Sequence, residues 1–306
     1  MDKGATRCTT ASIQSRPNHN ADETGLYIRA TPDRSLCFAN SKPSGGKKSK
    51  DQITLMVCSN MSGTDKKKLL VIGKSKQPRC FKNVKSLPVD YEANCNAWMT
   101  SEIFENWLRS WDKQLRLQCR KILLLVDNCP AHPNVKALTN IKLEFLPPNT
   151  TSIIQPMDQG IIKNIKGFYR KQLCDRLLEE LDIDGEDNSN DAQHLNYDKL
   201  AVKKINLLSA ITMAAQAWNS VTPTTLSNCF RKAGFVRPDI PMLSLSQVDI
   251  PKITAPDGYN QQYFDEFQPE EENENIIEGE DDASILASIK PVTETVSEDA
   301  ADQPEP

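Results

Sequence analysis

Lys121–His132 reads KILLLVDNCPAH. After the leading lysine the run is apolar on both faces, the pattern of a strand buried in the middle of a sheet. It closes on Asp127, and a carboxylate at the tip of an all-apolar strand is costly to bury unless a cation satisfies it. In open α/β sheets, functional groups collect at strand ends. The stretch therefore predicts a central strand with chemistry at its tip.

Upstream, the sequence predicts a β meander. Ala21–Arg29 begins it, Gln52–Cys58 (QITLMVC) is rich in β-branched residues, and Leu69–Ile72 (LLVI) is a third run. Lys42–Lys50 (KPSGGKKSK) is a basic loop between the first two, and Asn60–Lys68 is the turn joining the second and third. Phe104, Trp107, Leu108, Trp111 and Leu115 then recur at spacings of three and four, which predicts a helix with an apolar core face. Thr100 or Ser101 can cap it. Lys142–Leu146 (KLEFL) is a shorter strand, closed by Pro147 and Pro148.

From Gln159 the spacing predicts a long helix. Ile161, Ile165, Phe168 and Tyr169 share one face, and Lys163, Lys166 and Arg170 share the opposite one. Asp182–Tyr197 is a polar loop, and a further helix turns Ile205, Leu208, Ile211, Ala215 and Trp218 inward. Strands first, then helices alternating with strands, predict an α/β fold. Its sheet is mixed and five-stranded, an antiparallel meander extended by two parallel strands and flanked by helices. The expected organisation is a disordered N-terminal segment over 1–19, a folded domain over 20–238 and a disordered acidic tail over 239–306.

The charge is unevenly spread. Asp239–Pro306 holds 18 acidic and 2 basic residues, whereas Met1–Pro238 carries 35 Lys/Arg against 23 Asp/Glu. A basic body suits a polyanion such as DNA, although solvated lysines and arginines are the simpler explanation. The tail can bind a protein partner, compete with DNA for the body, or merely keep the chain in solution.

Nine scattered cysteines, an odd count without a CxxC pair, argue against a disulfide framework. With only three histidines they also argue against a structural zinc site. Reduced thiols fit cytosol or nucleus. Lys47, Lys48 and Lys50, then Lys66, Lys67 and Lys68, have the look of nuclear-import clusters. No apolar run reaches the length of a membrane span.

Three acids stand at informative places: Asp22 in the first strand, Asp127, and Asp158 in the Pro-rich Leu146–Gly160 (LPPNTTSIIQPMDQG) at the start of the basic helix. Singly, each has a simpler role. Asp127 can begin a turn, Asp158 can cap a helix, and Asp22 can be an exposed strand residue beside a functional Glu23. Neighbours on a strand point to opposite faces, so Glu23 is expected to face away from Asp22.

Together, Asn20–Arg29 (NADETGLYIR), Leu124–His132 (LVDNCPAH preceded by leucine) and Leu146–Gly160 resemble DDE-type transposases of the pogo and Tigger group. Lys48–Cys58, Leu70–Phe81 and Ala217–Phe235 (AWNSVTPTTLSNCFRKAGF) look similar too, so the resemblance spans roughly Asn20 to Arg237. It implies an RNase H-like fold whose three catalytic acids map onto Asp22, Asp127 and Asp158. It implies two Mg²⁺ ions, or Mn²⁺ in their place, bound by those acids about 4 Å apart for in-line displacement at phosphorus. DNA is the implied partner, the nucleus the implied compartment, and an oligomer is allowed. Asn128, His132 and Gln159 are candidates for orienting the metal ligands from behind. His132 can instead contact phosphate, or be a helix-start residue packed on the sheet. Lys163, Lys166 and Arg170 are candidates for DNA phosphate contacts.

Members of that group carry helix-turn-helix modules ahead of the catalytic core. The stretch before Asp22 is too short for one, so this chain is expected to lack a specific DNA reader. Two functions are consistent with the sequence: a metal-dependent DNA nuclease or strand transferase, and a catalytically silent nuclear DNA-binding or protein-interaction module. A nuclease for another nucleic acid is a third.

Overall fold

The computed structural model describes residues 18–30, 51–185, 204–235, 252–255, 257 and 261–262. The expected loose segment over 1–19 is corrected at its end, because Asn18 and His19 already belong to a strand; residues 1–17, the basic loop Lys42–Lys50, residues 186–197 of the polar loop and nearly all of the acidic tail lie outside the described residues. No helix among those described is long and apolar enough to cross a membrane.

Six strands form one sheet: β1 (Asn18–Tyr27), β2 (Gln52–Asn60), β3 (Leu70–Gly73), β4 (Asp90–Ala93), β5 (Ile122–Val126) and β6 (Ile141–Phe145), in the order β4-β3-β2-β1-β5-β6. β1–β2 and β2–β3 pair antiparallel, and β3–β4, β1–β5 and β5–β6 pair parallel. The meander joined to two parallel strands is thus the RNase H-like arrangement expected from the sequence, with one strand more. β4 (DYEA) is short, polar and alternately exposed, so it carries no hydrophobic signal. Its backbone nevertheless pairs with β3 from Leu70↔Asp90 to Gly73↔Ala93.

The sheet is covered on both faces. On one side lies α1 (Ser101–Leu117), which buries Phe104, Trp107, Leu108, Trp111 and Leu115 against Ala21, Met56, Ile122, Leu124 and Val126. Thr100 caps it, its hydroxyl accepting from Ile103 N at 3.3 Å. Asp112, buried in this helix, accepts the backbone N–H groups of Thr139, Asn140 and Ile141 at 2.7–3.1 Å and so fixes the entry to β6. On the other side lie α3 (Ile162–Gly185), α4 (Leu207–Ser220) and α5 (Pro223–Lys232), covering Leu26, Ile28, Leu55, Val57 and Val71. A one-turn helix, α2 (Thr151–Ile154), precedes them. Each large aliphatic side chain buried in these layers contributes roughly 1.5–3 kcal/mol.

α3 begins later than the apolar spacing suggests and runs through Gly185, so the first residues of the expected polar loop are helical. α5 was not foreseen as a helix; Thr222 caps it, accepting from Thr225 N at 3.1 Å, and Pro223 opens its first turn. Gly63 packs where a Cβ would lie 2.6 Å from Pro223 Cα, so the β2–β3 turn can approach α5 only with glycine there. Beside it the Lys66 ammonium donates to the carbonyls of Trp218 and Val221, the latter at 2.9 Å, and lies 4.4 Å from the Trp218 ring centroid. A cation at a helix C-terminus satisfies carbonyls that have no partner within the helix.

Candidate metal centre

Asp22 sits in the middle strand, paired across β2 with Val57, and is 8% exposed. The reading of Asp22 as an exposed strand residue is therefore excluded. β1 and β5 pair in parallel from Asn18↔Leu123 to Asn20↔Leu125. Continuing that register two residues brings Asp127, just past the end of β5, level with Asp22. Two carboxylates thus meet where β5 ends beside the middle of β1, which runs on to Tyr27.

Asp158 comes from a different kind of element. It lies in a wide π-type turn, Met157–Ile161, ahead of α3, and does not cap a regular helix. Gly160 has φ 136°, a conformation that strains any residue with a Cβ, and this lets the chain swing from the turn into α3. The turn is held to the sheet by Asn20, which is fully buried. Asn20 Nδ2 donates to Leu125 O at 3.1 Å, and its Oδ1 accepts from Met157 N at 3.0 Å. One side chain therefore ties the strand of Asp22, the strand of Asp127 and the turn of Asp158.

Electrostatics places the three acids together. Burial raises the Asp22 carboxyl well above the usual range, and the charges of Asp158, Glu23 and Asp127 raise it further, against a hydrogen bond from Gln155. Asp158 keeps exposed surface. Even so, desolvation and the Asp127 charge raise it, while a hydrogen bond with Asp22 and the Lys166 ammonium pull the other way. Like charges this close cannot all ionise without a compensating cation. Buried Gln155 was not singled out from sequence; an isolated glutamine in a Pro-rich stretch gives no signal.

Glu23 faces the α1 side, as strand alternation requires, and is 4% exposed. It is not a bystander there. His132 Nε2 lies 2.9 Å from Glu23 Oε1, and His132 Nδ1 lies 2.7 Å from Asp127 Oδ1 and 3.3 Å from Asp127 O. The contact to Oδ1 is a charge contact rather than an aligned hydrogen bond, because that oxygen has no donor in line with it. The His132 ring also packs on Phe104, with centroids 4.2 Å apart. Burial opposes a charge on His132, but the Glu23 charge, the adjoining Asp127 carboxylate and bonds to Cys129 and Glu23 outweigh it and hold the ring far above the usual histidine range. The expected packing against the sheet is found. No helix starts at His132, because residues 127–140 connect β5 to β6 as turns and loop.

The other expected residues fare unequally. Asn128 is exposed beside Asp127. The Gln159 amide donates to Ser152 O at 2.8 Å and braces α2 against the turn. Of the basic trio only Lys163 is exposed. Lys166 is 9% exposed; burial, helped by Arg170, lowers its ammonium to about 8, while Asp158 and Asp22 hold it up. Arg170 is 1% exposed, with Nη1 donating to Tyr27 O at 2.9 Å. The single solvent-facing basic stripe is thus corrected. Because α3 is covered on more than one side, two of its cations become internal partners of the sheet and the acid cluster.

The donor set fits a hard divalent cation: three carboxylates whose mutual repulsion a cation would relieve, converging where β5 ends beside β1. The family model described as "DDE superfamily endonuclease" matches residues 50–230. Tigger transposable element-derived protein 4 of Mus musculus is 40% identical over 219 residues, covering 72% of this chain and 40% of the relative. Major centromere autoantigen B of Homo sapiens is 29% identical over 219 residues, covering 71% of this chain and 33% of the relative. Among solved structures, the Mos1 transposase paired-end complex with left transposon end is similar over 72% of this chain and 56% of that one, at 12% identity and a TM-score of 0.32. The chain spans about 40% of the length of the Tigger relatives it matches. With a family match over more than half of its residues, the chain belongs to the DDE superfamily endonucleases, in their pogo/Tigger branch.

Proposed function

We propose that the chain is a transposase-derived DNA endonuclease core, cleaving or transferring strands at phosphodiester bonds with Asp22, Asp127 and Asp158 as ligands for two Mg²⁺ ions. The observation that carries this reading is the convergence of three carboxylates, two of them raised by burial and by neighbouring charge, where β5 ends beside the middle of β1. Bound there, divalent ions supply a Lewis acid at phosphorus and an activated attacking oxygen. Asp22 and Asp127 hold the ions from the sheet and Asp158 from the turn. Asn20 keeps the turn in place, and His132 braces Asp127 from the protein side. Lys163, exposed at the start of α3, contacts the DNA backbone beside the site. The working compartment is the nucleus, and residues 20–238 act as one catalytic domain.

Supercoiled plasmid incubated with the protein and Mg²⁺ or Mn²⁺ tests the reading. Nicking that disappears in Asp127→Ala is expected; equal nicking by both proteins, or none by the wild type, sinks it.

A second reading is a catalytically silent DNA-binding module. Similarity to a relative named as a centromere autoantigen favours it. It predicts salt-sensitive DNA retention that survives Asp127→Ala, with no nicking in either protein.

A further inference from the structure

His132 is held from one side and offers its chemistry on the other. Its Nε2 faces Glu23 Oε1 at 2.9 Å inside the layer between the sheet and α1. Its Nδ1 faces Asp127 and Cys129 on the other side. Ligand atoms of Asp127, Cys129 and His132 all lie within 4.8 Å of one another. The local chain explains the convergence. His132 N donates to Cys129 O at 3.0 Å, closing a turn that sends both side chains toward the tip of β5. Asp127 Oδ1 is buried, 2.7 Å from Nδ1 and without an aligned donor. A proton on Nδ1 holds the two together, and a metal ion that replaces that proton would do the same.

We propose that Asp127, Cys129 and His132 form a binding site for one thiophilic divalent cation of the zinc type, distinct from the all-carboxylate site. Thiolate, imidazole and carboxylate are the zinc ligand classes, at about 2.3, 2.0 and 2.0–2.2 Å. Those lengths place tetrahedral ligand atoms roughly 3.3–3.8 Å apart, and the ligand atoms here, all within 4.8 Å with one pair at 2.7 Å, bracket that spacing. Glu23 supplies the outer carboxylate that orients a metal-bound histidine. Three protein ligands leave one position open, and Cys129 and Asp127 are both partly exposed, so the ion has a way in. This is the pattern of an exchangeable site rather than a closed structural one. Binding releases the Cys129 thiol proton and any Nδ1 proton to solvent.

Both sites draw on Asp127, so a zinc ion here competes with the hard-cation site and suppresses cleavage. That consequence rests on the proposed nuclease reading; the binding itself does not.

Co²⁺ is the spectroscopic probe. Titrated into the full chain, it is expected to produce a thiolate-to-cobalt charge-transfer band near one equivalent, which Zn²⁺ then removes. Cys129→Ser is expected to abolish the band, and Glu23→Gln to weaken zinc affinity about 10- to 100-fold. Circular dichroism checks that each variant is folded, and Cys129→Ser, nearly isosteric, decides if Glu23→Gln is not. No band in the wild type, or an unchanged band in Cys129→Ser, overturns the proposal. Plasmid nicking is read separately: zinc suppresses Mg²⁺-dependent nicking in the wild type but not in Cys129→Ser. If no protein nicks DNA, the nuclease reading fails while the cobalt spectrum still decides the metal site.

Discussion

Asn20 Oδ1 accepts the backbone N–H of Met157, so the strand bearing the first acid holds the turn bearing the third. The same side chain donates to Leu125 O, two residues before the second acid. A neutral amide suits this place because it needs one donor and one acceptor, which neither aspartate nor leucine provides.

Asn20→Ala is expected to cost about 1–3 kcal/mol, since it leaves a buried carbonyl and a buried N–H unpaired. Urea denaturation measures the loss. Divalent-ion affinity, by calorimetry on the folded variant, is expected to fall as well, because Asp158 is no longer fixed relative to Asp22. A stability loss with unchanged ion affinity would count against the positioning role.

Asp22→Asn is expected to stabilise the metal-free protein at neutral pH. A carboxylate whose folded pKa is raised binds its proton more tightly folded than unfolded. Its contribution therefore turns unfavourable as pH climbs from the unfolded carboxylate range through the raised folded value. Asp65 works in the opposite sense: bonds from His19 and Arg120 lower its pKa, and its stabilisation is lost as pH falls through the acid range. The wild-type-minus-variant difference isolates Asp22. Its melting temperature should rise at pH 7 by roughly 2–4 °C per kcal/mol of relieved repulsion, and the gain should vanish near pH 4. Saturating Mg²⁺ should stabilise the wild type more than the variant.

Arg170→Met and Lys163→Ala are expected to separate packing from DNA contact. Arg170 is buried and bonds to Tyr27 O, so its loss should cost about 2–4 kcal/mol in denaturant melts. Lys163 is exposed, so its loss should leave stability within about 0.5 kcal/mol while lowering the salt slope of DNA retention by about one. The reverse pattern would show that the helix presents a different face to DNA.

Lys66→Met is expected to lower stability by about 1–2 kcal/mol by taking the ammonium from the Val221 carbonyl and from Trp218 O, which keeps only the Val221 N–H. Hydrogen exchange should rise first in the last turn of α4. Protection unchanged there would argue that the helix end is fastened by packing alone.

The central strand, the meander and the α1 core face were legible because each rests on local apolar periodicity. β4 was not, since Asp90–Ala93 is short and polar and joins the sheet through backbone pairing with β3 and the packing of one side chain, Tyr91. The three acids were legible as residues in motifs, but what assembles them was not. Asn20, Gln155 and Glu23 act through partners more than 100 residues away, or across a Pro-rich turn, and no spacing rule reveals such contacts. The basic helix misled for a related reason. A cation three or seven residues along a helix reads as solvent-facing unless a second layer lies over it, and here Arg170 finds Tyr27 O inside.

The sheet order has a consequence in time. β1 is made first yet lies centrally, and it needs β5 on one flank and the Met157 turn at its end. During synthesis, then, the stretch with Asp22 leaves the ribosome with its parallel neighbour still unmade, and Lys66 waits longer still for Trp218. A partly made chain cannot gather the acid set, so a domain with the makings of a DNA-cutting centre stays inert until its last layer closes.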